Sequence, residues 1–380
     1  MNFHAIEVTA RMPHVEQPGL VVRQKSPLNL EFQFSTLADW LTPIDQYYVR
    51  SHFASPELHD TGWRLKIGGA VDKPFSLSPA DLAALPQTSF PAVMECAGNG
   101  RVFYEPAREG LQWQSGAVGN AEWGGVLLRD VLELAGVKPG AVDVILVGAD
   151  RGIVDGGKKT ASPGPISFAR SLPLAKALSE DVLLATAMNG ETLTTEHGYP
   201  LRAVVGGWFG MAWVKWITEI RVVERPFLGY WQARDYFRWE RDLGEPVLVP
   251  LSRMEVKAQM ARPVNGAVVR VGEPVRIFGA AWGGEDGIEA VEICAGDGLG
   301  WRPATLLQPE SRFGWRLFEH LWTPLEPGRF TLRCRACDTA GRTQPEAQHQ
   351  DCESYVANWI VPIEVRAVTG NRDVSDDFVI

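Results

Sequence analysis

The final part of the chain, from about residue 255 onward, consists of short strand-like segments separated by Gly, Pro and Asp turns. Residues 273–279, 288–293 and 329–334 are examples. Regular short strands with turns between them predict an antiparallel sandwich of immunoglobulin type. Because 380 residues are long for one domain, the sequence predicts two, at 1–250 and 251–370.

The first 250 residues alternate helix signals with strand signals, which predicts a mixed α/β domain and an α+β fold class for the whole chain. Ser78 before Pro79 marks a helix start, and residues 126–136 form an amphipathic pattern that ends in glycine. The Asn-Gly pair at 189–190 predicts a hairpin. Residues 1–35 are polar and rich in proline, and we expect them to form an arm that wraps the first domain.

Two predicted strands carry side chains suited to ligand contact. Residues 47–53 are aromatic and predict a strand that places Arg50 and His52 on one face, because side chains two positions apart point the same way. Without further context, exposure to solvent is the ordinary interpretation of such a pair. Residues 142–148 predict a buried strand with Asp150 at its tip, where loops commonly contact ligands.

Charge and hydropathy exclude several classes of partner. The chain has 37 Lys and Arg against 46 Asp and Glu, and a net charge of -9 disfavours nucleic acid or an anionic membrane as the main partner. No apolar run approaches the ~20 residues of a membrane-spanning helix. The first residues lack the features of a signal peptide, so we expect a cytoplasmic protein, or a periplasmic one if an export signal has been removed. Five cysteines without an export signal are expected to be reduced thiols.

Residues 93–101 combine a strand-like run with a cysteine and small turn-forming residues. Cys96 lies at the end of the run, and glycines beside it let the backbone approach a bound group. Arg101 adds a positive charge, which favours the thiolate that binds a metal or attacks a substrate. A buried core cysteine is the simpler interpretation of these residues alone.

The Cys96–Arg101 stretch resembles the cysteine motif of the sulfite oxidase family of molybdenum enzymes, whose usual form is Cys-Ala-Gly-Asn-Arg-Arg. Gly100 stands in place of the first arginine, and Arg101 matches the second. The segments around Arg50, His197 and Tyr236 resemble further family motifs in the same order, over roughly residues 18–366. The resemblance implies a molybdopterin-binding catalytic domain followed by a dimerisation domain, without a haem domain.

The resemblance also implies a role for each candidate residue. Cys96 would ligate molybdenum beside a single molybdopterin. Arg50 and Arg101 would hold the substrate oxygens, Trp113 would line the substrate pocket, and Tyr236 would point its hydroxyl at a ligand of the metal. Taken alone, the charges near 197–215 would be surface charges on a hairpin, but the family uses the matching positions for its pterin and phosphate. The implied cofactor contacts are His52, Asp150, His197, Arg202 and Lys215.

The implied activity is oxidation of sulfite to sulfate, with water as the oxygen source. We expect a separate electron acceptor, because no haem segment precedes the catalytic part, and a homodimer. Gly100 and residues 211–213 depart from the family pattern, so the substrate could differ while the cofactor stays the same. A subunit like that of a sulfur dehydrogenase and a reductase of nitrate type are the enzymatic alternatives, and a cofactor-free scaffold is the non-enzymatic one.

Two features of the final part stay open at the sequence level. The family brings one C-terminal arginine to the substrate pocket, and either Arg312 or Arg316 could correspond to it. Four side chains have zinc-ligand types, but residues three apart on a strand face opposite sides, so buried thiols are the preferred interpretation. These four are Cys334, Cys337, His349 and Cys352.

Overall fold

The computed structural model describes residues 19–155, 160–241, 244–349 and 351–370. The predicted arm at 1–35 is described only from residue 19, and its first 18 residues lie outside that range. The strands of the first part are β1 (Leu20–Gln24), β2 (Asn29–Phe32), β3 (Leu65–Gly69), β4 (Phe75–Leu77), β5 (Thr88–Glu95), β6 (Val118–Leu127), β7 (Asp143–Gly152), β8 (Ile166–Pro173), β9 (Val182–Met188), β10 (Glu191–Thr192), β11 (Arg202–Val205), β12 (Ile217–Val223), β13 (Phe237–Glu240) and β14 (Val247–Pro250).

Two five-stranded sheets form the frame of the first part. One has the order β10-β9-β6-β5, with β11 also paired to β9, and all of its pairs are antiparallel. The other has the order β4-β3-β12-β7-β8 and is antiparallel except for the parallel pair β3 and β12. Strands β1 and β2, and β13 and β14, form two smaller ribbons.

The helices are short, and their ends follow the predicted signals. They are α1 (Pro79–Ala84), α2 (Leu128–Ala135) and α3 (Leu174–Ala177). The Ser78 hydroxyl caps α1 by accepting a hydrogen bond from the Asp81 backbone amide, and Gly136 ends α2 in the left-handed conformation. The Asn-Gly hairpin between β9 and β10 is also present. Among the described residues, no helix is both long and apolar enough to span a bilayer.

Two details of the strand predictions are wrong. Residues 47–53 do not form a strand, since only Val49 pairs, in a single bridge to Leu30. The segment is extended but irregular, because Leu30 belongs to the small β1–β2 ribbon, which offers no further partner. Asp150 lies within β7 rather than beyond its tip, because β7 continues to Gly152.

The final part forms two antiparallel-rich sheets around a second core. Its strands are β15 (Lys257–Arg262), β16 (Val268–Arg270), β17 (Val275–Trp282), β18 (Ile288–Cys294), β19 (Arg302–Pro303), β20 (Thr305–Leu306), β21 (Arg316–Trp322), β22 (Gly328–Asp338) and β23 (Ile363–Val368). The sheet orders are β15-β17-β21-β20 and β16-β23-β22-β18-β19. Ile277, Phe318, Val291 and Leu332 come from the two sheets and share one buried cluster. The more specific assignment to the immunoglobulin type stays a prediction.

The main hydrophobic core extends from the first part into the final part. Trp282 of β17 and Trp315 are buried within it and pack near Phe34, with ring centroids 6.4 and 6.3 Å from that of Phe34. Burial of such large aromatic side chains stabilises the contact by several kcal/mol, at ~25 cal/mol per Å² of apolar surface. The two parts of the chain therefore share apolar packing, in addition to their separate sheets.

A buried ion pair also crosses between the two parts. The Glu95 carboxylate, at the end of β5, accepts hydrogen bonds from Lys257 Nζ at 3.0 Å and from Trp282 Nε1 at 2.9 Å. Asn99 Nδ2 donates a third, at 3.0 Å. Glu95 and Lys257 are each about 95% buried, so removal of either partner would leave a charge with poor solvation.

We predict that Lys257→Met lowers the free energy of unfolding by about 3–5 kcal/mol, because it leaves the Glu95 carboxylate buried without its cation. Urea denaturation followed by tryptophan fluorescence measures the change. The double variant Glu95→Gln/Lys257→Met should be more stable than Lys257→Met, since it buries no charge.

Arg276→Met is the control, because it breaks the exposed pair with Glu319 and should cost less than about 1 kcal/mol. Equal losses for Lys257→Met and Arg276→Met would contradict the account of the buried pair.

Candidate active site

A single pocket collects side chains from both five-stranded sheets and from the loops between them. Eight of the ten candidate residues line it: Arg50, His52, Cys96, Asp150, His197, Arg202, Lys215 and Tyr236. Residues far apart in the sequence therefore converge, as a composite site requires.

The loop after β5 places Cys96 at the pocket wall. The backbone amide of Cys96 donates to Ala117 O at 2.9 Å, and its carbonyl accepts from Asn99 N at 2.8 Å, which closes a tight turn. Gly100 continues this turn with a φ of +86°, a conformation that favours glycine. A Cβ added at Gly100 would lie 3.0 Å from the Cβ of Ala357. Both the backbone angle and the packing therefore oppose a side chain here.

The electrostatics around Cys96 balance burial against cations. Burial raises the pKa of the Cys96 thiol, and the positive charges of Arg50 and Arg101 partly oppose this rise. Arg50 lies in the same pocket, where its guanidinium donates to the backbone carbonyl of Ser51 and, at 3.3 Å, to Asn29 Oδ1. In the protein alone the Cys96 thiol therefore tends to keep its proton, and a bound metal cation would favour its deprotonation.

Tyr236 enters the pocket from a π-helical turn at Trp231–Asp235. Its hydroxyl lies 2.7 Å from His52 Nε2. The His52 ring stacks on Phe168, with centroids 4.5 Å apart, and this contact fixes its plane. Burial raises the pKa of Tyr236 above its usual range, so the hydroxyl keeps its proton.

The other side of the pocket holds two cations, of which Arg202 is buried and Lys215 is partly buried. Arg202 is 1% exposed and directs its guanidinium to three backbone carbonyls, His197 O at 3.0 Å, Trp213 O at 3.3 Å and Ala203 O at 3.4 Å. Lys215 Nζ donates to Ser51 Oγ at 2.9 Å and to Glu196 O at 2.8 Å. Among the described residues, neither cation forms a salt bridge with a carboxylate. Such cations are costly to bury, and an anionic ligand would compensate them.

Burial shifts the titration of this cluster strongly. Desolvation, with Arg202 nearby, lowers the pKa of Lys215 to about 7, and desolvation lowers that of Arg202 to about 10. Burial raises the pKa of Asp150 to about 7, although Lys215 opposes the rise. Burial and the two cations lower the pKa of His197 to about 3, so its imidazole is neutral. Near neutral pH the cluster is positive but easily loses that charge.

Two candidate residues do not line the pocket. Arg101 is buried and donates from Nε to Ser354 O at 3.0 Å and from Nη1 to Leu111 O at 2.7 Å. Trp113 is fully buried in the main core. Their expected roles at the substrate stay predictions.

The expectation that Arg312 or Arg316 reaches the pocket is wrong for this arrangement of side chains. Arg312 pairs with Asp181 at 2.8 Å, and Arg316 donates to Gln308 O at 2.7 Å, so neither lines the pocket. All five cysteines are free thiols. No group of three or more His, Cys, Asp or Glu side chains converges as a metal site within the described part of the chain.

Sequence reasoning missed one segment near the site, residues 352–357. Tyr355 in this segment packs on Tyr236, with ring centroids 4.9 Å apart, and donates to Asp235 Oδ1 at 2.7 Å. Nothing in its local sequence indicates this position, because the contact joins residues 120 positions apart. The fold alone brings them together.

Comparison with known proteins gives the site its chemical context. The profile of the oxidoreductase molybdopterin binding domain matches residues 52–231, and that of the Mo-co oxidoreductase dimerisation domain matches residues 249–367. The sulfite oxidase of Arabidopsis thaliana is 33% identical over 360 residues, which cover 87% of this chain and 88% of that protein. The mitochondrial sulfite oxidase of Drosophila melanogaster is 34% identical over 85% of this chain. The match spans 58% of the Drosophila protein's length.

The chain belongs to the sulfite oxidase family. A solved structure, the sulfane dehydrogenase SoxCD from Paracoccus pantotrophus, matches the fold with a TM-score of 0.79 at 26% identity, covering 96% of this chain and 93% of that one. Membership makes the protein a molybdenum-dependent oxidoreductase with a molybdopterin cofactor. The donor set fits this cofactor, because the pocket offers a cysteine sulfur at one place and buried cations without carboxylate partners at another.

We predict that sulfate, which keeps its double charge over this range, binds the cofactor-free protein more weakly at about pH 9 than at about pH 6. As the pH rises through about 7, Lys215 loses its proton and Asp150 gains a negative charge, and both changes repel the anion. The loss should be roughly tenfold in Kd, as for one charge-assisted hydrogen bond. Isothermal titration calorimetry measures it.

Lys215→Met should bind sulfate weakly at both pH values and show a smaller pH dependence. Lys66→Met, at an exposed lysine of β3, is the matched control and should behave like the wild-type protein. An unchanged affinity of the wild-type protein between these pH values would contradict the shifted pKa of Lys215.

Proposed function

We propose that the protein oxidises sulfite to sulfate, with water as the oxygen source, and passes the electrons to a separate acceptor. The observation that carries this proposal is the convergence of Cys96, Arg50 and Tyr236 in one pocket whose other side is cationic. The molybdenum group, when bound, would supply the two-electron redox chemistry, and water would replace the oxygen that is transferred to sulfite. The protein supplies the sulfur ligand, the orientation and the charge.

In this proposal the cofactor is held by residues of both sheets. Cys96 ligates the metal, because a soft thiolate suits molybdenum beside dithiolene sulfurs. Arg202 and Lys215 would bind the anionic end of the cofactor, and His52 and the neutral His197 would offer ring nitrogens to the pterin. Asp150 accepts hydrogen bonds from the pterin amines. Binding of the anion restores the compensation that the buried cations lack.

The substrate oxyanion is held chiefly by Arg50. Arg50 lowers the pKa of the Cys96 thiol more than Arg101 does, so its positive charge acts more strongly at the sulfur. Tyr236 keeps its proton and donates a hydrogen bond toward the metal's oxygen ligand, while His52 limits the rotation of its hydroxyl. Arg101 adds positive field from behind the wall, and Trp113 supports the wall from the core.

A second candidate is oxidation of a sulfane sulfur, as in the sulfur-dehydrogenase alternative. The close structural match to the sulfane dehydrogenase SoxCD favours it, as does Gly100, which removes one cation from the family pattern. A nitrate-type reductase would differ from both candidates in its substrate, nitrate.

We also propose that 1–250 and 251–370 are the two domains, and that the second is an immunoglobulin-type sandwich that mediates a homodimer.

The proposal is tested by metal analysis and by sulfite-dependent reduction of ferricyanide, using protein made in a cofactor-competent host. Wild-type protein should contain molybdenum and turn over sulfite. Cys96→Ser should lose more than ~100-fold in kcat, since it removes a direct ligand and even outer-shell changes at metal sites cost ~10–100-fold.

Cys294→Ser is the matched control, because Cys294 is equally buried, at 7% exposure, but lies in β18 of the second core region. Its activity should equal that of the wild-type protein. Absence of molybdenum from the wild-type protein would overturn the enzyme proposal, and full activity of Cys96→Ser would refute the role of Cys96 as the metal ligand. Turnover of a sulfane substrate or nitrate without turnover of sulfite would replace the reaction but keep the site.

Arg50→Gln should raise KM for sulfite by about 10- to 100-fold, since a hydrogen bond to a charged group contributes ~1.5–3 kcal/mol. The fall in kcat should be smaller, because Tyr236 and Cys96 are unchanged. Steady-state kinetics at fixed ferricyanide measures both constants. Arg64→Gln, at an exposed arginine, serves as the control, and an equal KM for Arg50→Gln and Arg64→Gln would refute substrate binding by Arg50.

A further inference from the structure

The segment at residues 352–357 covers the Cys96 loop, although it comes from the far end of the chain. Val356 N donates to Ala97 O at 2.9 Å, one residue from the sulfur. The Ser354 carbonyl accepts from Arg101 Nε at 3.0 Å. The Tyr104 hydroxyl donates to the Tyr355 carbonyl. The backbone of this segment is therefore fixed on the loop that carries the proposed metal ligand.

The side chain of Tyr355 extends from this fixed backbone to the other catalytic loop. Its hydroxyl donates to Asp235 Oδ1 at 2.7 Å. Its ring lies against the Tyr236 ring, with an interplanar angle of 34° and centroids 4.9 Å apart. The Arg101 guanidinium lies over the same ring, 5.1 Å from its centroid. Tyr355 thus contacts both sequence clusters that supply the proposed catalytic residues.

Tyr236 depends on its neighbours for orientation. It follows the last residue of the π-helical turn at Trp231–Asp235, and its amide donates to Trp231 O at 3.3 Å. A π-helical turn is a rare conformation that is often found at functional sites. Asp235 immediately precedes Tyr236 and is mostly buried, so a bond that fixes the Asp235 carboxylate also restricts the backbone that carries the phenol.

We propose that Tyr355 is a positioning residue that sets the orientation of Tyr236 relative to Cys96. It does so through two contacts, the hydrogen bond to Asp235 and the ring packing on Tyr236, while the backbone around it is tied to the Cys96 loop. The inference rests on the proposed function, in which the Tyr236 hydroxyl acts at the metal's oxygen ligand. Tyr355 itself does not line the pocket and acts through Tyr236.

Two variants separate the two contacts. Tyr355→Phe keeps the ring and removes the bond to Asp235, and Tyr355→Leu removes both. We expect Tyr355→Phe to lower kcat for sulfite about tenfold with KM changed less than about twofold, because a shift well below 1 Å costs less than the ~100-fold of a full misplacement. Tyr355→Leu should lose more. A substrate-binding role would instead raise KM.

The second readout is the electron paramagnetic resonance spectrum of the molybdenum centre, reduced chemically rather than by sulfite. A moved Tyr236 hydroxyl should change the spectrum of Tyr355→Phe. Tyr199→Phe is the matched control, because it removes the same atom from a phenol that donates to another carboxylate, Asp60 Oδ1 at 2.5 Å. Its spectrum and kinetics should equal those of the wild-type protein.

The outcomes distinguish this inference from the proposed function. Wild-type protein with molybdenum but no sulfite turnover would reject the sulfite reaction, and the chemically reduced spectrum would still test Tyr355. A spectrum and kcat of Tyr355→Phe equal to those of wild type and Tyr199→Phe would overturn the positioning role. Loss of thermal stability with an unchanged spectrum would also overturn it, since that pattern indicates packing alone.

Discussion

The arrangement of the candidate active site depends on the buried Glu95 carboxylate, which joins the two parts of the chain beside the loop that carries Cys96. Lys257 and Trp282 reach it from the final part, and Asn99 reaches it from the Cys96 turn. Asn99 in turn accepts from Ala117 N at 3.1 Å, next to the bond that holds Cys96 N. A buried charge tolerates little displacement, so this network restricts the position of the turn as well as stabilising the fold.

In the pocket, by contrast, the two cations form no salt bridge among the described residues. Arg202 is buried, Lys215 is partly buried, and both donate to neutral oxygens, so their charge remains available to a ligand. In the protein alone this arrangement costs free energy, as the lowered pKa of Lys215 indicates. An anionic ligand bound at this site would recover that cost, so the affinity of the site for an anion and the stability of the ligand-free protein oppose each other.

Local sequence could predict the elements and much of the site, but not the contacts that join distant segments. The cap at Ser78 and the glycine after α2 depend on neighbouring residues, so the pattern is sufficient to find them. Residues 47–53 were predicted as a strand and are not, because strand formation requires a partner that local sequence does not specify. Glu95 and Lys257 lie 162 positions apart, and only the fold brings them into contact.

Local packing accounts for glycine at position 100, where the family pattern has arginine. With residues 352–357 in place, a side chain at position 100 would meet Ala357, and the backbone angle there favours glycine. The neighbouring Arg101 is held by Ser354 O and lies over Tyr355, so it too is committed to this segment. The segment between β22 and β23 thus packs against both position 100 and position 101 of the cysteine motif.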